Sequence, residues 1–461
     1  MRMTAAPEGG RFTPASQNAV GISRLYSTRP IAAVMNPDRS LKPAVYAWIL
    51  IILAQAQFRK RSVTELTQGA GFDSQVIFQI IAWFVLALIA VVLIRRKQVD
   101  WDLLRFGPLK WYTAFMLVAL GSTSYSAAPA LSAFRVVQHL IALVLVASMG
   151  RNLKRLHIFA MIFVGATAIL IVLGAVGITF GLSWITPPSE SSLWTAEPEW
   201  RFASAFGHPT TLATVAAVAI FAADDARRSM ARVAVIIFNL TALGLTVSRT
   251  AIGGLIVGFT IMMAAKRRLI LFACLCGALT VSVFLIPAWS GTLTSYLTRD
   301  QSTDQLTSLN GRVALYEDAW RRIQEHWLLG QGFMSNRVAI LDEQADGSGT
   351  LHAHNVLLEA LTGTGIIGGF LALAACIHLC ILPLVILRRS DGRPPLRREA
   401  IVLASSLPPV IGACLLDAGF ATTLTMLGWA FMVLAARGQE AVNACTVTQK
   451  SESYRYIVLP K

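Results

Sequence analysis

Charge is what this chain has least of: 14% of its 461 residues are charged, against roughly a quarter in soluble proteins. The scarcity excludes a set of soluble domains, which a chain of this length would otherwise suggest. Alternation of apolar with polar residues is missing too. The apolar residues come in continuous blocks of about 15 to 22, near the ~20 that a helix needs to cross a bilayer, whereas barrel strands alternate over about 10. A β-barrel is therefore excluded, and backbone groups in lipid must be satisfied inside helices. Cysteine is sparse and unpatterned. Cys274, Cys276, Cys376, Cys380 and Cys414 lie in apolar stretches and Cys445 in the tail, with no zinc-site spacing and no shared outer loop, so they are expected as small core residues. Residues 1–42 are rich in Ala, Ser, Pro and Arg and lack the apolar centre of a signal peptide; they are expected as a flexible cytoplasmic tail.

What remains is 55% hydrophobic with a mean hydropathy of +0.59, and it predicts an all-α polytopic membrane protein. Twelve apolar segments can be placed, at about 44–58, 75–94, 111–124, 134–149, 156–178, 209–223, 231–247, 250–265, 269–287, 355–387, 400–416 and 419–436. The 355–387 block exceeds one vertical crossing, so tilt or an interfacial first turn is expected. The corresponding organisation is a span bundle over 43–287, an outer loop over 288–354, three further spans over 355–436 and a cytoplasmic tail over 437–461.

The net charge of +15 does not indicate nucleic-acid binding, because the basic residues cluster between apolar blocks, where they set topology. Alternate loops (95–110, 151–155, 224–232, 266–268 and 388–399) hold 19 Lys and Arg against 6 acids, which makes them cytoplasmic together with both termini. The segment 288–354 reverses the sign, with eight acids against five basic residues, and goes outside. One cluster, Arg59, Lys60 and Arg61, falls on the outer side, where long cationic side chains snorkel to headgroups. Within the outer segment, Val313, Tyr316, Trp320, Ile323 and Trp327 recur at three- and four-residue steps. They predict an amphipathic helix near 311–328, N-capped by Asn310, whose aromatic stripe lies on the membrane interface, on the spans or on other loop residues.

The stretch Gly363 to Gly368 spells GxGxxG, but no strand precedes it, so it is expected to pack helices through Gly365 and Gly369 and not to bind a dinucleotide. Arg201, Arg249, Arg312, His352 and His354 all fall on or near the outer face, where the charge rule does not favour arginine. Arg249 sits in a minimal turn, Val247-Ser248-Arg249-Thr250, between two apolar runs. A lone arginine there can snorkel to lipid phosphate; several beside a histidine point to a cavity. The guanidinium fork matches phosphate oxygens two at a time, so a diphosphate is the natural ligand. An imidazole, with an ordinary pKa of about 6.5, is largely neutral at pH 7 and can accept a proton. His352 and His354 are two apart and no third ligand is evident, so base catalysis is favoured over a metal. His139 and His208 are expected to be packing residues.

Several pieces of the chain, in order, resemble the O-antigen ligase and Wzy-type O-antigen and exopolysaccharide polymerase superfamily. They are Ser124 to Pro129, Arg201 with Phe206 to Thr210, Ser248-Arg249-Thr250, Asn310-Gly311-Arg312 with Trp320 and Gly330 to Gly332, and His354-Asn355 followed by Gly365 to Gly368. The chain departs from that pattern at Tyr125, where the family commonly has Trp, and at Thr210, where it commonly has Asn. The resemblance implies a GT-C type inner-membrane glycosyltransferase, without cofactor or essential metal, acting at the periplasmic face on undecaprenyl-diphosphate-linked glycan. It implies that Arg249 and Arg312, with Arg201, bind the donor diphosphate. His354 would take the acceptor proton, supported by His352 and Asn355, with inversion at the anomeric carbon. It also implies an acceptor that is a second glycan or lipid A core, and, as partners, membrane lipid, a chain-length regulator and a flippase. A transporter is the competing class, but its sites lie near the bilayer midplane among ionisable residues; here the acids nearest apolar spans, Glu359 and Asp417, sit near predicted ends.

Overall fold

The computed structural model describes residues 41–55, 74–153, 156–179, 185–186, 201–202, 209–223, 229–285, 312–336, 353–390, 393–416 and 419–458. The described chain is almost entirely helical. Its helices are α1 (Leu41–Ala54), α2 (Ser74–Arg95), α3 (Trp101–Arg105), α4 (Gly107–Ser122), α5 (Pro129–Leu153), α6 (Leu156–Thr179), α7 (Pro209–Ala222), α8 (Ser229–Thr246), α9 (Arg249–Ala265), α10 (Leu269–Leu285), α11 (Arg312–Glu325), α12 (Val356–Arg389), α13 (Pro394–Leu416) and α14 (Met426–Val458). A 3-10 turn, Thr123–Tyr125, follows α4, and two short strands, β1 (Ile185–Thr186) and β2 (Arg201–Phe202), pair antiparallel with Thr186 opposite Arg201. Helices α2, α5, α6, α12 and α13 each contain a stretch long and apolar enough to cross a membrane; α7 to α10 are shorter apolar helices. The Asn310 cap, His208, His352, the Arg59 cluster and the tail over 1–40 lie outside the described residues.

Helix α7 is the centre of the bundle. It is buried at every position but Thr210 and is surrounded by α6, α8, α9, α13 and α14. Its 14 residues span only about 21 Å, short of the ~30 Å hydrocarbon core. A helix apolar all round and enclosed by protein has no need to match the bilayer. The real small-residue contact is between α9 and α13: a Cβ on Gly254 would lie 2.5 Å from Pro409 Cα, and one on Gly258 would strike the Ser405 carbonyl and the Phe221 ring. Only glycine at these two positions, four apart, lets the backbones approach so closely.

Four expectations need correction. The Gly365–Gly369 pair does not pack two spans together: Gly365 takes φ 65°, ψ −164° and breaks α12, leaving a short helix over 356–364 and a continuous one over 366–389. The second piece, at 1.5 Å per residue, is about 36 Å and long enough to cross a bilayer by itself, so the excess length of the block is the separate short helix before the break. The predicted stripe of α11 does not act as one face. Leu315, Ala319, Arg322 and Ile323 are buried, whereas Val313, Trp320 and Trp327 are exposed; small and aliphatic side chains fit the tight dock, and the indoles stay on the outside. Helix α14 starts at Met426, later than hydropathy suggests, and runs on past residue 436 because its polar residues are paired. Arg437 forms a buried ion pair with Glu399 of α13, and the Gln439 amide donates to Asn443 Oδ1 at 3.0 Å. Of the cysteines, Cys414 and Cys445 are core residues, but Cys274, Cys276 and Cys380 are exposed on apolar helix faces. His139 is a packing residue as expected: it is buried, with Nδ1 2.6 Å from Tyr112 Oη and Nε2 3.0 Å from the Thr422 carbonyl. Since a carbonyl only accepts, Nε2 carries the proton and Tyr112 donates to Nδ1.

Candidate active site

The start of α12 builds the first half of the site. Asn355 is its N-cap, with Oδ1 accepting from the Leu357 and Leu358 amides at 2.9 and 3.2 Å. Its Nδ2 donates to the carbonyl of Leu415, in the last turn of α13, at 3.1 Å. A capping asparagine satisfies donors that the first turn leaves orphaned. Here it also ties α12 to α13. His354 stands directly before this cap, half-buried, with φ 47°. That left-handed conformation costs a non-glycine residue of order 1–3 kcal/mol and persists only where the surroundings impose it. They do so from both sides, since Asn355 is fixed after it and the Ala353 amide before it donates to the Glu359 carboxylate.

The second half comes from α9. Val247, at φ 48°, and Ser248 make a two-residue turn between α8 and α9, the minimal turn the sequence predicts. Arg249 is the first residue of α9 and half-buried. The glycine contact of α9 with α13 carries this end along α13 toward the turn to which Asn355 is tied. Gly412 of α13 faces the next residue, with the Thr250 methyl 3.5 Å from where a Cβ would be. Gly412 and Leu415, three residues apart, lie about 4.5 Å apart along a helix axis. The last turn of α13 is thus the joint that brings the elements bearing Arg249 and His354 together.

The segment 312–336 docks on the break in α12. In a continuous helix the Ile366 amide would donate to the Thr362 carbonyl. With Gly365 at positive φ and out of the helical region, Ile366 donates to the Trp327 carbonyl at 2.9 Å, and Thr362 accepts from the Gln331 amide at 2.8 Å. Loop residues replace both halves of the lost bond. A buried hydroxyl cluster completes the dock: Ser126 donates to the Phe333 carbonyl at 2.8 Å, Ser335 Oγ accepts from the Ala127 amide at 3.0 Å, and Ser122 Oγ accepts from the Phe333 amide at 3.0 Å. Tyr125 donates to the Leu329 carbonyl at 2.8 Å. Partial burial pushes the Tyr125 phenol up, against a smaller opposing effect of Ser122. Arg312 opens α11, which packs on α12. Burial alone would raise the Asp318 carboxyl, but Arg322 and Arg321, at 2.9 and 2.6 Å, outweigh it and hold it below its ordinary value.

Arg201 lies in β2, which reaches the bundle through the buried Phe202 ring against Gly174 of α6. The structure therefore relates the elements bearing Arg249, His354 and Asn355 through one joint and Arg312 through the docked helix α11, while Arg201 belongs to a strand pair over α6 and α8. Sequence reading missed Glu359 and the serine cluster. The signal for Glu359 was there, an acid five residues into an otherwise apolar run.

Residues 233–373 match a family model described as O-antigen ligase, a family of glycosyltransferase-like membrane enzymes. No curated protein matches the chain.

Proposed function

We propose that this protein, which carries a domain of the O-antigen ligase family over residues 233–373, is a membrane glycosyltransferase that polymerises undecaprenyl-diphosphate-linked repeat units of a bacterial surface polysaccharide. The reaction takes place at the periplasmic face of the inner membrane, in a GT-C type fold of twelve spans with both termini cytoplasmic. The observation that carries this is the matched interval itself: it runs from α8 through the Gly365 break and so holds Arg249, Arg312, His354 and Asn355. The joint at the end of α13, which ties Asn355 and abuts Thr250, supports one site on one side of the membrane.

In this reading Arg249 and Arg312 hold the diphosphate and stabilise its negative charge as the bond to the anomeric carbon breaks, about 10² to 10³ in rate per well-placed donor. The His354 imidazole takes the proton of the acceptor hydroxyl as its oxygen attacks from the opposite side, which inverts the anomeric centre and is worth about 10² to 10⁴. A lipid-linked donor suits the surroundings. Trp327, Leu328 and Leu329 of the docked loop are exposed beside the exposed apolar residues Ile366, Ile367 and Phe370 of α12, so an apolar face continues from the span up to the site.

The family's description favours one second reading, a ligase that moves finished glycan to lipid A core. A deletion strain separates the two: a polymerase leaves single lipid-linked repeat units, a ligase leaves long polymer on undecaprenyl diphosphate. The enzyme reading itself is tested with purified protein and synthetic polyprenyl-diphosphate donor. His354→Ala is expected to abolish transfer and keep donor binding. Full turnover by that variant, or an absolute need for added divalent metal, refutes the base.

A further inference from the structure

We propose that Glu359 is a positioning residue for His354, clamping its left-handed backbone and coupling it to the docked outer loop. This rests on the reading of His354 as the base. Glu359 lies on the first turns of α12, 4% exposed, in a run of apolar residues where a carboxylate is retained only if its oxygens are satisfied. Oε1 accepts from the Ala353 amide, the residue before His354, and Oε2 accepts from Asn336 Nδ2 at 3.3 Å. Asn336 is the last described residue of the outer-loop dock, and its amide also reaches Thr362 Oγ1, whose hydroxyl donates to the Leu358 carbonyl at 2.8 Å. One carboxylate therefore joins the chain entering His354 with the far end of the segment that begins at Arg312.

The geometry resembles a capping box, in which an acid three residues into a helix reaches back to the amide of the cap. Here the acid is one residue further in and reaches two residues further out, so its bond passes over His354. The Asn355 cap fixes the residue after the histidine, and the Glu359 bond fixes the residue before it. With both neighbours held, the half-buried ring is presented in one orientation, and proton transfer depends on that orientation because a displacement of about 1 Å can cost about 100-fold in rate. Helix polarity favours a negative group at this end. Glutamine keeps an acceptor for Ala353; leucine keeps the volume and removes it.

The test uses the full-length purified protein with synthetic polyprenyl-diphosphate donor, reading kcat, donor affinity and hydrogen exchange at the Ala353 amide. Glu359→Leu should lower kcat about 100-fold while donor affinity changes less than about threefold and Ala353 exchange accelerates. Glu359→Gln should restore kcat to within about tenfold of wild type. Wild-type kcat in Glu359→Leu, or loss of all activity in Glu359→Gln, would overturn the proposal. Should Glu359→Leu not fold, the wild type still decides: an Ala353 amide that exchanges as fast as an open loop overturns the clamp. Full activity of His354→Ala instead overturns the base reading beneath it, a different result from an inactive His354→Ala beside a fully active Glu359→Leu.

Discussion

Gly365→Ala separates two readings of α12 by the sign of its effect. Were Gly365 inside a continuous helix packed on a neighbour, alanine would add helix propensity and stabilise by roughly 0.5–1 kcal/mol wherever the neighbour left room. In the structure Gly365 sits at φ 65°, ψ −164°, a region essentially closed to other residues at a cost of about 1–3 kcal/mol. A Cβ there would also meet the Leu328 carbonyl and lie 2.6 Å from Leu329 N, and forced overpacking costs another ~1–3 kcal/mol. The expected loss is thus about 2–6 kcal/mol, carried by the dock and not by the bundle. The two exchanged bonds, Ile366 to Trp327 and Gln331 to Thr362, are the reporters. Hydrogen exchange on purified protein should show both amides opening faster in the variant, with a lowered melting temperature. A variant as stable as wild type, with both amides protected, would refute the broken helix.

The other predictions are briefer. Arg249→Lys and Arg312→Lys should each lose most transfer although the charge is kept, because an ammonium cannot copy a forked contact; near-normal polymer at equal expression would reduce either residue to a snorkelling cation. Single cysteines in a thiol-free background at Ser308 and Gly347 should label from the periplasm, and at Ala226 and Gly392 from the cytoplasm, with impermeant reagent on intact spheroplasts as the measurement. Asp318→Asn should weaken α11 by at most about 1 kcal/mol at pH 7, given how exposed its partner Arg321 is. Since the folded carboxyl is held below its ordinary value, this contribution is fully present above the unfolded pKa of about 3.9 and is lost as pH falls through the folded one. The melting difference between variant and wild type should accordingly narrow as pH falls below the ordinary carboxylate range.

The features legible in the sequence are those set by local composition. Apolar runs placed the helices, because a span must satisfy its own backbone whatever surrounds it. The turn at Val247-Ser248 was equally plain, since two apolar blocks with two residues between them admit little else. The period predicts the helix Arg312–Glu325 but does not choose which residues of its stripe are covered. Trp320 and Trp327 stay exposed while Ile323 of the same stripe is buried together with Leu315 and Ala319, and close packing onto another helix is decided by shape as much as by hydrophobicity.

The features that were hidden depend on a partner distant in sequence. Gly365 in an apolar run is indistinguishable from a packing glycine until Trp327 and Gln331 arrive to take over the bonds it breaks. The part of α14 beyond residue 436 looks like a tail because Arg437, Gln439 and Glu440 depress its hydropathy, yet all three are buried; a paired charge and a solvated one read alike in a sequence. Glu359 is the same case with a functional consequence. Ala353 lies six residues before it and Asn336 twenty-three, and only their convergence turns an acid near a helix end into a clamp. The spacing from Asn355 to Gly365 then acquires a physical meaning: it is a helix of nine residues, 356–364, closed by the cap at one end and by the break at the other. It is long enough to carry Glu359 back over His354 on its first turns, and Thr362 out to Gln331 and Asn336 on its last. A residue inserted in that interval would turn everything after it by about 100° about the axis, leaving the break and its loop on a different face from the acid that reaches His354.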